Sequence, residues 1–480
     1  MTPPAAQDES DSNKQGGVTR RTTWVAHEFR AQRGIAVPLM GMNLTWFAKL
    51  AVTTAFLGRL GDLQLAAGTL GLSFANVTGF AVLTGLCGAM EPICGQAHGA
   101  SNGKLLRKTL VMATMLLLAA SVPIAFLWLH VDALLRRCGQ QPDITSNARA
   151  YLVCLLPDLA VTSFLNPLRS YLSAQGITLP TLFASALGLG IHVPLTCWMA
   201  GARGIQGVAT AVWISDLAVA VMLAAYVAII EHEHEGDGGW WLGQTGWGDW
   251  VRLVRLAVPS CLNTCLEWWC YEILVLLTGR LPDARRSVAV IAVTLNFDYL
   301  LFAAMLSLSV SASVRVSNEL GAGHADAARR ASWVSIAGGA VGGVAGGLLM
   351  LAARRPWGYL YSPRGDGGVR EGVSRAMKVM AALEVVNFPL NVCGGIVRAT
   401  ARPAVGMYAV LAGFYLLALP VAVALAFKAR LRIQGLLVGF MVGAAASLAV
   451  LLTVISRMDW QAQADKARTR AAADVCTHPC

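Results

Sequence analysis

The chain has 480 residues, of which 56% are hydrophobic and only 14% are charged, and its formal net charge is +11. Soluble globular proteins carry roughly 25% charged residues, so this composition excludes an ordinary soluble protein and indicates an integral membrane protein. The Lys and Arg residues lie between apolar stretches and not on one polar domain, which argues against nucleic-acid binding and favours contact with membrane lipids.

The chain begins with a polar segment, residues 1–32, that lacks the apolar core of a signal peptide. We expect it to form a disordered tail in the cytosol. Apolar runs of about 20 residues follow, each long enough to cross a bilayer as a helix. Twelve spans are predicted, at residues 33–54, 66–92, 105–130, 147–168, 178–200, 204–230, 251–279, 286–312, 327–353, 374–397, 404–427 and 432–456.

A polar, glycine-rich connection separates the first six spans from the last six. This division predicts an N-terminal six-helix bundle at 33–230, a cytosolic linker at 231–250, a C-terminal six-helix bundle at 251–456 and a cytosolic tail at 457–480. The expected fold class is an all-α membrane protein. The excess of Lys and Arg on the side of the termini is small, so the charge rule gives only weak support for cytosolic termini.

The two halves resemble each other at three points in the same order. Gly58–Asp62 matches Gly279–Asp283, 221 residues later; Gly95–Ala100 matches Ser317–Ala322, 222 residues later; and Ala174–Gly176 more loosely matches Ile396–Ala401, each before a proline. The nearly constant offset indicates a duplicated unit. Because six crossings return the chain to its starting side, the units are predicted to be parallel repeats.

Glu267 is the leading candidate for a functional residue, because an ionisable side chain inside a span costs several kcal/mol. Asn263, Glu267 and Tyr271 follow the spacing i, i+4, i+8 and therefore share one helix face. This face could hold a proton on Glu267 with hydrogen-bonding partners on either side. A purely structural hydrogen bond between helices is the alternative.

The tenth predicted span carries a second polar stripe, Glu384, Asn387 and Asn391, at the spacing i, i+3, i+7. Asp298 in the eighth span and Trp268 in the seventh are further candidates for a cavity that binds solute. Core packing or anchoring at the membrane interface is the alternative for the aromatic residue. Desolvation favours the neutral form of a carboxyl group, so such a group could carry a proton and bind cargo only after releasing it.

The sequence offers little sign of other chemistry. No phosphate-binding glycine-rich loop and no set of nucleophile, base and orienting residue is apparent, so we expect no enzyme activity and no cofactor. The run from Glu231 to Glu235 has His and Glu side chains that suit metals, but adjacent residues in a loop rarely form a closed site. No metal site is therefore predicted.

Four ordered segments resemble motifs of plant multidrug and toxic compound extrusion (MATE) transporters. They are Glu91–Ala100, Cys265–Glu272, Val314–Ala322 and Val397–Pro403. The resemblance implies twelve transmembrane helices in two pseudo-symmetric six-helix bundles around a central cavity that opens alternately to each side. It also implies efflux of organic solutes in exchange for protons.

The resemblance places the cation-site carboxylate of the family on Glu267. A second acid of the family falls on Asn387, whereas the acid present here, Glu384, lies one turn earlier. The first span also lacks the aspartate of many prokaryotic members, and Asn43 is its only strongly polar residue near that position. This departure favours coupling in the second half only.

The predicted function is a monomeric proton antiporter that exports a small organic solute, which could be a cation, an organic acid or a hormone-like compound. The plasma membrane and the endomembranes are both possible locations. Two alternatives stay open at this point. A lipid-linked precursor flippase would need a wide basic cavity, and a receptor or scaffold would tolerate loss of the buried carboxylates.

Overall fold

The computed structural model describes residues 5–137, 140–233, 245–361 and 367–472, with side chains from Trp24 onward except those of Glu233 and Tyr361. Every regular element in these ranges is helical. The first half contains α1 (Ala5–Leu60), α2 (Asp62–Ala75), α3 (Ala81–Cys87), α4 (Met90–Gly99), α5 (Gly103–Leu129), α6 (Val131–Arg137), α7 (Pro142–Ala174) and α8 (Leu179–Glu233). The second half contains α9 (Trp247–Thr278), α10 (Ala284–Gly321), α11 (Ala325–Tyr361), α12 (Gly367–Ala399), α13 (Pro403–Val410), α14 (Leu419–Val423), α15 (Arg432–Ser456) and α16 (Trp460–Ala472).

Short π-helical segments join some of these helices into longer rods. Asn76–Phe80 connects α2 to α3, and Leu411–Ala418 and Ala424–Lys428 flank α14. Ten helical stretches of the described chain are long and apolar enough to cross a membrane. One of them is α8, which bends at Gly204 (φ 58°, ψ −134°) and so comprises two spans. Adding α9, in which Glu267 and Glu272 interrupt the apolar run, gives the twelve spans that the sequence predicts.

Each half has its own hydrophobic core. One buried apolar cluster includes Leu57, Trp128 and Val227 of the first half, and a second includes Cys270, Phe440 and others of the second half. The twelve spans therefore form two bundles, as expected. The first helix also reaches the second bundle, because Asn43 Nδ2 donates to Ser307 Oγ at 3.0 Å.

The matched segments lie at equivalent positions in the two halves. The second matched pair of segments, Gly95–Ala100 and Ser317–Ala322, ends the helices α4 and α10. The residues that follow, Ser101 and Gly323, keep the same offset, and both have positive φ (55° and 81°). These two helix ends also pack directly on each other. A Cβ atom at Gly99 would clash with the backbone oxygen of Asn318, and one at Gly321 would clash with that of Gln96. The duplicated glycines thus allow the halves to touch.

Residues near both ends of the part described with side chains lie at this contact between α4 and α10, which we call the joint, and this side of the molecule is called the terminal face. Near the beginning, Glu28 forms an ion pair with Arg315 of α10 at 2.8 Å. Near the end, Asn102 Nδ2 donates to the backbone oxygen of Ala471 at 2.7 Å. The opposite side of the bundles, where α9 ends and α10 begins, is called the far face.

Two predicted tails contain helix. The first helix begins at Ala5, within the segment expected to be disordered. At the other end, where the sequence suggested only a tail, α16 packs under the bundles. Its residues Trp460, Ala464, Ala467 and Ala471 are buried, and their spacing of three to four residues places them on one helix face. This apolar stripe indicates a packed helix, although the segment as a whole is polar.

Candidate functional site

A column of polar side chains follows one face of α12 through the second bundle. Glu384, Asn387, Asn391 and Arg398 are separated by three, four and seven residues, so they lie one above another along the helix. Glu384 and Asn387 are only 1% and 3% exposed. The column leads from the middle of the bundle to the terminal face. The sequence predicted its first three members, and the structure adds Arg398.

Glu384 meets a second carboxyl group, that of Asp298 on α10. The two side chains lie within hydrogen-bonding reach of each other, and Asp298 is 6% exposed. Neither forms an ion pair with a Lys or Arg among the described residues, and Glu384 Oε1 has no hydrogen-bond partner there. Two adjacent anions in such surroundings repel each other strongly.

Helix α9 adds Glu267 and Tyr271 to the column. Asn387 Nδ2 donates to the Tyr271 hydroxyl at 3.3 Å, so this tyrosine stands beside the carboxyl pair. The half-buried carboxyl group of Glu267 contacts the amide of Asn391 and lies within electrostatic range of Arg398. The structure thus brings together six of the predicted residues, from the three helices α9, α10 and α12.

Two predicted residues lie outside this group. Asn263 shares the α9 face with Glu267, but its Oδ1 atom points at Gly406 of α13 and has no hydrogen-bond partner among the described residues. Trp268 packs edge-on against Phe302 at a centroid distance of 5.6 Å. This packing matches the alternative that the sequence left open for the aromatic residue.

An ion pair between the halves closes the terminal end of the column. Arg398 Nε lies 3.0 Å from Glu91 Oε2 of α4, and Ser313 donates to the same carboxylate oxygen at 2.9 Å. Sequence reasoning used both residues only as parts of motifs. Their side chains become partners because the repeat axis brings the ends of α4 and α12 together.

The first half holds an ionisable cluster that sequence reasoning underrated. Lys49 Nζ lies 2.6 Å from Asp216 Oδ2 and 2.9 Å from the backbone oxygen of Val212. Asp158, only 3% exposed, stands close enough for its charge to interact with both partners. Asp158 and Asp216 both face the interior of the first bundle, next to Lys49.

The same cluster includes His192, which is fully buried. Its ring nitrogens lie 3.1 Å from Thr53 Oγ1 and 3.2 Å from Ser215 Oγ. Arg169 donates to Ser185 at 3.3 Å, and its Nε atom has no partner in the described chain. The two halves therefore differ: the acids of the first lie beside a fixed ammonium group, whereas the acids of the second lie beside each other.

Of the His and Glu residues at 231–235, the structure describes the side chains of Glu231 and His232. Glu231 binds Arg107 at 2.8 Å and also accepts a hydrogen bond from the Tyr171 hydroxyl. His234 and Glu235 lie outside the described residues.

Comparison with known proteins gives the chain a family. The MatE family model matches twice, at residues 38–198 and 259–424, once in each half. The chain is 50% identical over 472 residues to Protein DETOXIFICATION 56 of Arabidopsis thaliana, covering 98% of this chain and 96% of that protein. It is 37% identical to Protein DETOXIFICATION 51 of Arabidopsis thaliana over 453 residues, or 92% of this chain and 82% of that one.

The fold agrees with this assignment. The crystal structure of the eukaryotic MATE transporter AtDTX14 superimposes with a TM-score of 0.87 at 29% identity, covering 93% of this chain and all of that chain. A MATE structure in the bent conformation gives a TM-score of 0.81 at 17% identity over 92% of this chain and 97% of that one, which supports the fold alone. Because the family model matches both bundles and relatives of high identity span the chain, this multi-pass membrane protein belongs to the MatE family of multidrug and toxic compound extrusion transporters.

Proposed function

We propose that the protein is a proton-coupled antiporter that exports a small organic solute, and that Glu267 and the Asp298–Glu384 pair carry the exchanged proton. The observation that carries this proposal is the contact between two buried carboxyl groups with no basic partner in the described chain. At least one proton is needed to hold such a pair together. Releasing it creates an anionic site.

Coupling follows from competition for that site. A deprotonated carboxyl pair attracts a cationic or hydrogen-bond-donating solute, whereas a protonated pair does not. Tyr271 and Asn387 connect the pair to α9, so a change of protonation at Glu384 can alter the position of that helix. An antiporter needs this behaviour: proton and cargo each bind better after the other has left.

The direction of transport and the membrane are part of the proposal. We place the terminal face in the cytosol, with cargo leaving at the far face across the plasma membrane or into an endomembrane compartment. The relatives named DETOXIFICATION support export. A monomer is sufficient, because the polar column is assembled from helices of a single chain.

The test uses the full chain in liposomes with an imposed pH gradient, a panel of labelled organic cations and organic acids, and a pH-sensitive dye. The expected result is solute movement that depends on the gradient, accompanied by proton movement in the opposite direction. Glu267→Gln and Glu384→Gln should each lower both fluxes by roughly 100-fold or more, since each removes a proton-binding group that the cycle requires.

The matched control is Glu371→Gln. Glu371 lies on the same helix as Glu384, but it is exposed and pairs with Arg375. This variant should transport at the rate of the unmodified protein. Gradient-driven flux that survives in both carboxyl variants, in protein that inserts and folds normally, would refute the assignment. Solute flux without proton movement would refute the antiport itself.

A further inference from the structure

A cavity of about 400 Å³ lies at the terminal face. Its walls come from α4 and the beginning of α5 in the first half, from the beginning of α9 and Ala401 in the second half, and from α16. Three arginine side chains border it, Arg252, Arg255 and Arg470, and no Asp or Glu lines it. The cavity therefore combines three basic groups with otherwise largely apolar walls between the two halves and the last helix.

The arginines around this pocket have no acidic partners in the described chain. Arg252 Nη1 donates to the backbone oxygen of Arg470 at 3.4 Å, and Arg470 Nη1 reaches the backbone oxygen of Thr400 at 3.5 Å. Backbone carbonyls leave the positive charges uncompensated. Burial, followed by the like charge of Arg252, lowers the pKa of Arg470, so the fold brings these charges together against their repulsion.

The nearby carboxylates of the same face are engaged elsewhere. Asp249, one turn before Arg252, pairs with Lys108 at 2.8 Å. Glu231 pairs with Arg107. Asp459 caps the backbone of Ala462 at the start of α16. None of these groups neutralises the pocket.

Guanidinium groups bind phosphate oxygens in bidentate geometry, and several of them around one cavity suit a multiply charged anion. We propose that the pocket bordered by Arg252, Arg255 and Arg470 binds a phosphate-bearing anion, which fastens α16 against the closed ends of the two halves. The ligand would be either the headgroup of an anionic membrane lipid or a soluble phosphate compound. This proposal does not depend on what the protein transports.

The position of the pocket gives the ligand a conformational role. Gln96 of the first half also borders the pocket and donates to the backbone oxygen of Ala399 of the second half at 2.9 Å. An anion that binds Arg252 and Arg470 at the same time would tie α9 to α16 beside this contact. It would therefore favour the state in which the terminal face is closed.

The experiment uses the full chain in lipid nanodiscs, with two arms. In one arm, nanodiscs of phosphatidylcholine are compared with nanodiscs that also contain phosphatidylinositol bisphosphate. In the other, inositol hexakisphosphate is added to phosphatidylcholine nanodiscs. Hydrogen exchange of residues 460–472 and the unfolding temperature are measured in both. We expect slower exchange in α16 and a higher unfolding temperature with the anion present.

The variant Arg252→Gln/Arg470→Gln should weaken binding by about 100-fold, because two charge-assisted hydrogen bonds are lost. The control, Arg329→Gln/Arg457→Gln, removes the same charge from exposed positions outside the pocket and should bind normally. Without ligand, the pocket variant should unfold at the same temperature as the unmodified protein or higher, since repulsion is removed. If Arg470 had a purely structural role, the pocket variant would instead unfold at a lower temperature.

Protection only by phosphatidylinositol bisphosphate would identify a lipid headgroup, and protection by inositol hexakisphosphate would identify a soluble ligand; both support the proposal. Three results would overturn it: no protection of α16 in either arm, protection of the pocket variant equal to that of the unmodified protein, or a loss of binding in the control variant equal to that in the pocket variant.

Discussion

At the scale of residues, the buried acids of the two halves have different kinds of partner. Asp298 and Glu384 face each other in the second half, and neither pairs with a Lys or Arg in the described chain. Asp216 faces Lys49 in the first half at 2.6 Å, so its charge is balanced by a cation that is covalently attached to the chain. Among the described residues, the second half has no such fixed cation paired with Asp298 or Glu384. This contrast is consistent with coupling in the second half.

Replacing Lys49 tests whether it neutralises the first-half acids. Lys49→Met removes the ion-pair partner of Asp216 inside the bundle and should lower the free energy of unfolding by about 3 kcal/mol. Removing the acid as well, in Lys49→Met/Asp216→Leu, should restore most of this loss, because the Asp216 charge no longer lacks its partner. Unfolding in detergent, followed by circular dichroism, gives both values.

The matched comparison is the ion pair between Arg432 and Asp283, which is more than half exposed on both sides. Arg432→Met should change the stability by well under about 1 kcal/mol. If Lys49→Met is as mild as this, or if the double variant is less stable than Lys49→Met, the pair does not neutralise the cluster.

At the scale of elements, the contact between α4 and α10 depends on residues without side chains. Gly95, Gly99 and Gly321 bring the backbones of the two halves so close that a Cβ atom at any of them would clash across the joint. Close backbone approach through small residues is the usual way for membrane helices to pack. Here it occurs at a joint that has to separate and re-form if the cavity opens on alternate sides.

Gly99→Ala should therefore prevent full closure of the terminal face. An added methyl group in a packed interface costs about 1–3 kcal/mol, which lowers the population of the closed state by roughly tenfold to 100-fold. Solute flux in liposomes should fall accordingly, whereas the amount of folded protein should not. The control is Gly103→Ala, four residues along the chain, where no atom lies within 4 Å of the added Cβ. Equal flux in the two variants would contradict this view of the joint.

At the scale of the whole molecule, contacts on the terminal face join the two halves, together with those of α3 with α9 and of α1 with α10. The Glu91–Arg398 pair crosses the joint and stands at the end of the polar column, so it links closure of this face to the helix that carries Glu384. Helix α16 packs against the same joint on the terminal face. The structure thus shows a transporter closed at the face that carries its termini.

Breaking the Glu91–Arg398 pair should loosen this face without unfolding the bundles. In Glu91→Gln, the backbone amides at residues 96–103 and 318–324 should exchange hydrogen roughly tenfold faster, because the closed state loses a partly buried ion pair. Exchange elsewhere in the bundles should not change. Glu371→Gln, which removes an exposed ion pair of α12, is the control. Unaltered exchange in both segments of Glu91→Gln would show that the pair does not contribute to closure.

Much of the architecture could be predicted from the sequence, for local reasons. The apolar runs fix the spans, and even the division of α8 near residue 204 is visible, because the polar and glycine-containing stretch between the fifth and sixth predicted spans interrupts the pattern. The stripes on α9 and α12 were predicted because side chains that recur every three to four residues share a face. In contrast, the helix at Trp460–Ala472 was missed, since only four of its five buried residues are apolar and they form a narrow stripe in a polar segment.

What the sequence determined by itself is the membrane, the duplication and the acids of the second bundle, since each is read from composition, offset or helical spacing. Only the tertiary structure decided which charge meets which partner. Glu91 and Arg398 are 307 residues apart. The partners of Asp298 and Lys49 likewise lie on other helices. Charge pairing depends on distances of a few ångströms between helices, and these distances exist only once the bundles have packed.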